Sequence, residues 1–221
     1  MPNFSGIWTV TQQMQAVGQS IWPSPPLVIG QALGGGFYAG QIGVSGVATH
    51  NLIVGPVASA QTTLQWKNAR TATSGADSAI NGPQNTADMV ADGNSTVYPC
   101  AHFCNDLTTG GQTDWYMPAK NELEVCYYNL KPTTTSNNTG SGTNTNAVPS
   151  RSSNYTSGTP TQTSATDFRS TGTEDFTDYF YWSSTELSAT IADGQLFNNG
   201  YQGGNFKDGS YLVRAIRRVA V

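Results

Sequence analysis

The chain has 221 residues, ample for a buried core, and carries ten Lys and Arg against fourteen Asp and Glu for a formal charge of -4. Only 11% of its residues are charged, where an ordinary globular chain has about 25%, and no basic cluster offers the phosphate neutralisation that a nucleic-acid binder needs. Two His and three Cys (Cys100, Cys104, Cys126) leave little material for a His/Cys metal centre or a disulfide framework, and predict reduced, buried thiols.

Residues 1–26 read as a separate attachment arm or as an arm packed on the same domain. Phe4, Ile7, Trp8 and Val10 precede a Gln-rich stretch over 11–17 that fits one short helix, and Trp22-Pro23-Ser24-Pro25-Pro26 stops helix and sheet alike because each Pro fixes φ and removes a donor. Met1-Pro2-Asn3-Phe4 lacks the charged start and apolar stretch of a signal peptide, and no apolar run approaches the roughly 20 residues of a bilayer span.

From Leu27 the texture turns to strands. Leu27-Val28-Ile29 reads as one, and residues 36–57 read as a hairpin with apolar runs around Phe37-Tyr38 and Leu52-Ile53-Val54, separated by glycines. Residues 67–97 are polar and read as loop. Two amphipathic helices follow: Cys100, Phe103, Cys104 and Leu107 fall at i, i+3, i+4, i+7 behind Pro99, and Leu123, Cys126, Tyr127 and Leu130 repeat the pattern behind Pro118.

Residues 131–178 read as a long polar insert, built over 131–173 almost wholly from Thr, Ser, Asn, Gly and Pro with Val148, Tyr155 and Phe168 as the large apolar anchors; such a segment cannot make its own core. Strands return at 179–184, 194–197 and 211–219, with turns at Asn199-Gly200 and Asp208-Gly209.

Three stretches carry a resemblance. Residues 113–123 (Thr113-Asp114-Trp115-Tyr116-Met117-Pro118-Ala119-Lys120-Asn121-Glu122-Leu123), 181–186 (Tyr181-Trp182-Ser183-Ser184-Thr185-Glu186) and 213–218 (Val213-Arg214-Ala215-Ile216-Arg217-Arg218) resemble landmarks of the C-type-lectin-like family that includes the C-terminal domain of a bacterial collagen-like adhesin and recurs in bacteriophage tail-fibre proteins. The resemblance implies an α+β, C-type-lectin-like fold over 27–221, two helices packed on a small twisted antiparallel sheet. The stretch Gly6-Ile7-Trp8-Thr9-Val10-Thr11-Gln12-Gln13 with Trp22-Pro23 is similar to an element of aquatic-phage fibre proteins. Together they imply a virion protein, assembled in the host cytoplasm, that is held to other subunits through residues 1–26, most simply as a homotrimer, and meets a host surface glycan or protein. The alternative is an architectural role as a capsid decoration or tail adaptor.

Ala119 stands where family members often carry a capping Ser or Thr, so the helix start must find other acceptors, such as backbone, water or Asp114. Met117 and Ala119 flank Pro118 where calcium-dependent lectins carry coordinating side chains, so no bound cofactor or metal is expected; Glu174, Asp175 and Asp178 are the fallback cation cluster. His50, His102 and the Ser183-Ser184 pair lack the context of a catalytic triad, and no enzymatic activity is expected. The segment from Glu186 to Asp208 mixes aromatics, amides and glycines in the manner of binding loops, and Asn198, Asn199, Tyr201, Gln202, Asn205 and Lys207 are the candidate ligand contacts. The competing reading makes Phe197 and Phe206 core and the Asn residues turns.

Overall fold

A computed structural model describes residues 9–11, 13–14 and 26–221. The arm expected over 1–26 falls largely outside them; residues 10, 11, 13 and 14 are helical, with the Gln13 N–H donating to the Thr9 carbonyl.

The strands are β1 (Ala32–Leu33), β2 (Gly36–Val44), β3 (Val47–Val54), β4 (Gln61–Gln65), β5 (Ala147–Val148), β6 (Phe180–Glu186), β7 (Ile191–Leu196), β8 (Gln202–Phe206), β9 (Ser210–Arg214) and β10 (Ile216–Ala220). The helices are α1 (Val57–Ala60), α2 (Gly82–Asp92), α3 (Pro99–Asn105) and α4 (Lys120–Leu130), with a 3-10 turn at Thr166–Phe168. One sheet runs β1-β2-β3-β10, with β5 added to β2; the other runs β4-β9-β6-β7-β8. Its pairs are antiparallel except β6 with β9, which are parallel and meet at Tyr181 and Leu212.

This corrects the expected fold class. Two five-stranded sheets dominate and the helices are short, so the arrangement is not two helices on one small C-type-lectin-like sheet. The expectation missed β4 and β8 because Gln61-Thr62-Thr63-Leu64-Gln65 and Gln202-Gly203-Gly204-Asn205-Phe206 show no apolar alternation. The C-terminal run expected as one strand is also two. It breaks at Ala215, whose N–H bonds to the Ala60 carbonyl and whose carbonyl accepts from the Gly55 N–H, so β9 lies in one sheet and β10 in the other. Leu27-Val28-Ile29 is not a strand; among the described residues strand pairing begins at Ala32 and Leu33.

Turn chemistry fixes the first hairpins. Gly34 and Gly35, both at positive φ, occupy the two-residue turn between β1 and β2, the conformation that such tight hairpins require. A β-bulge between Tyr38 and Gly40 then shifts the alternation of β2, so that Ala39 and Ile42 face the same way.

Strand periodicity divides the core between two clusters. Ala39, Leu52, Val54, Tyr181 and Ile216 pack with the α4 residues Leu123, Cys126, Tyr127 and Leu130 and with Phe168, Phe176 and Phe197. Their chain neighbours Tyr38, Ile53, Trp182 and Ala215 pack with Trp66, Trp115, Met89 of α2, and Cys100 and Cys104 of α3. Burying a large side chain such as Trp66 or Trp182 completely contributes about 1.5–3 kcal/mol, or more for the largest. Trp115 and Trp182 are buried, and Cys100, Cys104 and Cys126 are free thiols, buried as expected, whose pKa burial raises.

The polar insert is organised by hydrogen bonds. Buried Lys131 donates from Nζ to the Thr135 and Pro160 carbonyls and to Asn137 Oδ1, and Asn137 also accepts from the Tyr127 hydroxyl. Buried Glu124 accepts from Asn144 Nδ2, from the Tyr155 hydroxyl and from Arg151. Of the expected anchors, Tyr155 and Phe168 are buried and Val148 is half-buried in β5.

Candidate functional site

The three sequence landmarks meet in space, and their polar groups hold one another. Tyr116 and Ile216 exchange backbone hydrogen bonds of 2.8 and 3.0 Å, and the Ser184 N–H donates to the Pro118 carbonyl at 2.7 Å. The uncapped start of α4 is completed from outside: the Lys120 N–H bonds to Thr185 Oγ1, the Asn121 N–H to the Ala79 carbonyl, and the Ala119 N–H to Glu122 Oε2. Asp114, an expected source of the cap, instead pairs with Arg217 through both carboxylate oxygens, at 2.7 and 2.8 Å. Glu122, fully buried, also accepts from the Gly82 N–H, the Tyr116 hydroxyl and Arg218 Nε. The landmarks therefore knit the fold.

The same is true of nearly every cation. Eight of the ten Lys and Arg side chains lie in ion pairs: Lys67 with Asp92, Arg70 with Asp208, Lys120 with Asp193, Arg151 with Glu124, Lys207 with Glu186, Arg214 with Glu174, Arg217 with Asp114 and Arg218 with Glu122. A ninth, Lys131, is buried among carbonyls, and Arg169 donates from Nε to the Thr163 carbonyl. The sparse cations are thus mostly committed to internal partners, while Asp77, Asp106, Asp167 and Asp178 remain as exposed carboxylates.

The six expected contacts divide. Lys207 is fully buried, donating to the Thr71 carbonyl, pairing with Glu186 at 2.9 Å and lying over the Trp66 ring, and burial pulls its ammonium pKa below the usual lysine range. It is removed from the candidate surface, since an ion held this way cannot reach a ligand. Gln202 is half-buried, its Oε1 accepting from the Gly142 N–H and its backbone N–H bonding Ser141 Oγ, so it ties β8 to the polar insert. Asn199 Oδ1 accepts from the Tyr201 N–H, a turn-forming role beside Gly200, which sits at positive φ and has no room for a Cβ against the Tyr127 ring. Asn198 Nδ2 approaches Asp178 Oδ2 at 3.4 Å.

Tyr201 and Asn205 remain. Tyr201 is 48% exposed, Asn205 is half-buried, and β8 is the outermost strand of its sheet. Gly203 and Asn205, two apart on β8, share a face, and Tyr201, immediately before the strand, joins them with its ring against the Gly203 backbone. Phe197 is core, stacked on Phe176 at 4.1 Å, whereas Phe206 is exposed beneath the Arg70 guanidinium at 3.8 Å.

The fallback cation cluster is dispersed. Glu174 Oε2 is held by Arg214 and the Val57 N–H, and Asp175 Oδ2 accepts from the Thr171 N–H. Among the described residues no group of three or more His, Cys, Asp or Glu is placed to hold a metal ion, and no helix is long and apolar enough to cross a membrane. His50 faces Thr49, His102 Nε2 meets the Gly93 carbonyl, and Ser183 and Ser184 are buried, Ser183 Oγ donating to the Asp193 carbonyl and Ser184 Oγ accepting from Asn85 Nδ2.

A comparison with curated proteins finds no match. Among solved structures, a fimbrial protein from Bacteroides ovatus is similar at a TM-score of 0.45 and 15% identity, over 82% of this chain and 43% of that one. This chain thus spans less than half the length of that structure. The sequence profile of the Lcl C-terminal domain matches residues 55–217, which include the first two landmarks and the third up to Arg217, and the chain belongs to that family.

Proposed function

We propose that this chain is a non-enzymatic attachment domain that recognises a glycan or protein on a host cell surface, carried on a bacteriophage virion by its N-terminal segment. The observation that carries the recognition reading is the outer strand β8 and the residue that leads into it: Tyr201, immediately before β8, stands 48% exposed on the same face as Asn205 of β8. A Tyr offers a large contact area with few rotamers to freeze, and a neighbouring amide supplies adaptable hydrogen bonds. Membership of the Lcl C-terminal domain family supports the adhesive role, because the resemblance that first pointed to this family is to an adhesin domain. The virion placement is supported by the sequence of residues 1–26.

The test is adsorption of particles whose copies of the chain carry Tyr201→Ala and Asn205→Ala. Surface positions away from core and caps, as exposed Tyr201 and half-buried Asn205 are, change stability by about 0.5 kcal/mol or less, whereas a central aromatic contact is worth about 2 kcal/mol or more in binding. Adsorption should fall roughly tenfold at limiting receptor. Unchanged adsorption by a well-folded variant would remove β8 from recognition and favour the architectural role.

A further inference from the structure

A second surface lies across the same sheet from β8. The chain leading into β6 diverges from the start of β9, because the two parallel strands pair only at Tyr181 and Leu212. The seam opens into a groove of about 380 Å³ lined by Gln61, Thr63, Tyr179, Phe180, Ser210 and Tyr211, within the range of small-molecule sites of about 300–1,000 Å³. We propose that this groove binds a neutral saccharide unit.

Its walls are aromatic. Tyr179 is 69% exposed and has no ring partner among the described residues, while Phe180 and Tyr211 are edge-to-face at 5.3 Å and Tyr211 is backed by Trp182 at 5.0 Å. The groove therefore offers one free ring and a braced pair, and the apolar face of a pyranose stacks on rings held in this way.

Thr177 of its lining is tied to the Tyr181 hydroxyl, but most of its other polar groups are open. Gln61 Oε1 accepts from the Tyr181 hydroxyl, which leaves Gln61 Nε2 as an open donor. The hydroxyls of Thr63, Ser210, Tyr179 and Tyr211 make no hydrogen bond among the described residues. Hydroxyls and amides that both donate and accept match sugar hydroxyls, which do the same.

Charge selects the class. No charged side chain lines the groove, and the nearby Arg214 is buried against Glu174 and the Gly55 carbonyl. A sulfate or uronate would enter without a counterion, whereas a neutral sugar leaves no charge unpaired.

This rests on the recognition reading above, but it concerns another part of the sheet, so the two can fail separately. The experiment is saturation-transfer NMR on the full chain with neutral gluco-, galacto- and manno-configured trisaccharides and with a sulfated trisaccharide as the anionic arm. Variants are Tyr179→Ala, which removes the free ring, Thr63→Arg, which fills the groove, and Tyr201→Ala beside β8, with circular dichroism confirming the fold of each. At least one neutral trisaccharide should bind, with roughly tenfold weaker binding in Tyr179→Ala and in Thr63→Arg and no change in Tyr201→Ala. Absence of neutral binding, preference for the sulfated probe, or insensitivity to both groove variants would overturn the proposal. Loss in Tyr201→Ala alone would overturn the groove while leaving the attachment reading in place.

Discussion

Removal of Glu122 should be among the most damaging single changes in the molecule. Its carboxylate is fully buried and holds four donors from three parts of the chain: the Gly82 N–H at 3.1 Å, the Ala119 N–H at 2.8 Å, the Tyr116 hydroxyl, and Arg218 Nε at 2.7 Å. The Arg218 side chain is itself only 19% exposed, so Glu122→Ala strands a largely buried guanidinium. Breaking a buried pair from one side costs about 3–5 kcal/mol. Each buried donor left without an acceptor adds about 1–3 kcal/mol where water does not replace the carboxylate. Since domains of this size are stable by about 5–15 kcal/mol in total, Glu122→Ala should consume a large part of that margin and lower Tm by roughly 6–20 °C. Urea unfolding followed by Trp fluorescence provides the assay, with Trp66, Trp115 and Trp182 as buried reporters. A double-mutant cycle with Arg218→Met separates the ion pair from the other bonds, and its coupling should exceed about 1 kcal/mol. A cost below about 1 kcal/mol for Glu122→Ala would show that the carboxylate does not join these segments, and the account of the landmarks would fail with it.

The three thiols should resist a disulfide exchange reagent in the native state and react together on unfolding, because burial keeps them protonated and out of reach; rapid native labelling of any one would contradict the placement of Cys100, Cys104 or Cys126. Arg217 holds the Asp114 carboxyl below its ordinary value of 3.8, so the stability this pair supplies is fully present above that pH and is lost as pH falls through the lower folded value. Urea midpoints of the parent and of Asp114→Asn should therefore converge on acidification, and a gap that stays constant from pH 6 to about pH 2 would show that the pair does not act through this proton.

Much of the fold could be read from residue pattern, and the failures share a cause. Gly34-Gly35, the apolar runs of β2 and β3, and the i, i+3, i+4, i+7 spacings of α3 and α4 are local signals that survive folding unchanged. Helix α2 was hidden in a stretch read as loop because its inward face is mostly polar: Asn85 bonds Ser184 Oγ, and Thr86 accepts from the Met117 N–H. Periodicity counts apolar residues, so a face buried through hydrogen bonds leaves no trace in it. The candidate site failed at Lys207 for a related reason. A lysine among amides and aromatics suits a binding loop, and only the fold reveals Glu186 and the Thr71 carbonyl waiting for it. The groove beside β9 was invisible because Gln61, Thr63, Tyr179 and Tyr211 come from three distant stretches whose convergence depends on a parallel pairing that no local pattern announces.

The split at Ala215 bears on when the protein can fold. Strand β9 lies between β4 and β6 in one sheet, and β10 pairs with β3 in the other, so neither sheet is complete until residues 210–220 exist. At about 5–20 residues per second, a ribosome exposes the hairpin of β2 and β3 many seconds before its partner strand leaves the tunnel. During that interval Leu52, Ile53 and Val54 have no β10 to cover their edge, and Gln61–Gln65 has no strand to pair with. A chain interrupted anywhere before β9 would present two open sheet edges to the cell's proteases and chaperones, so only copies carrying residues 210–220 can complete the fold.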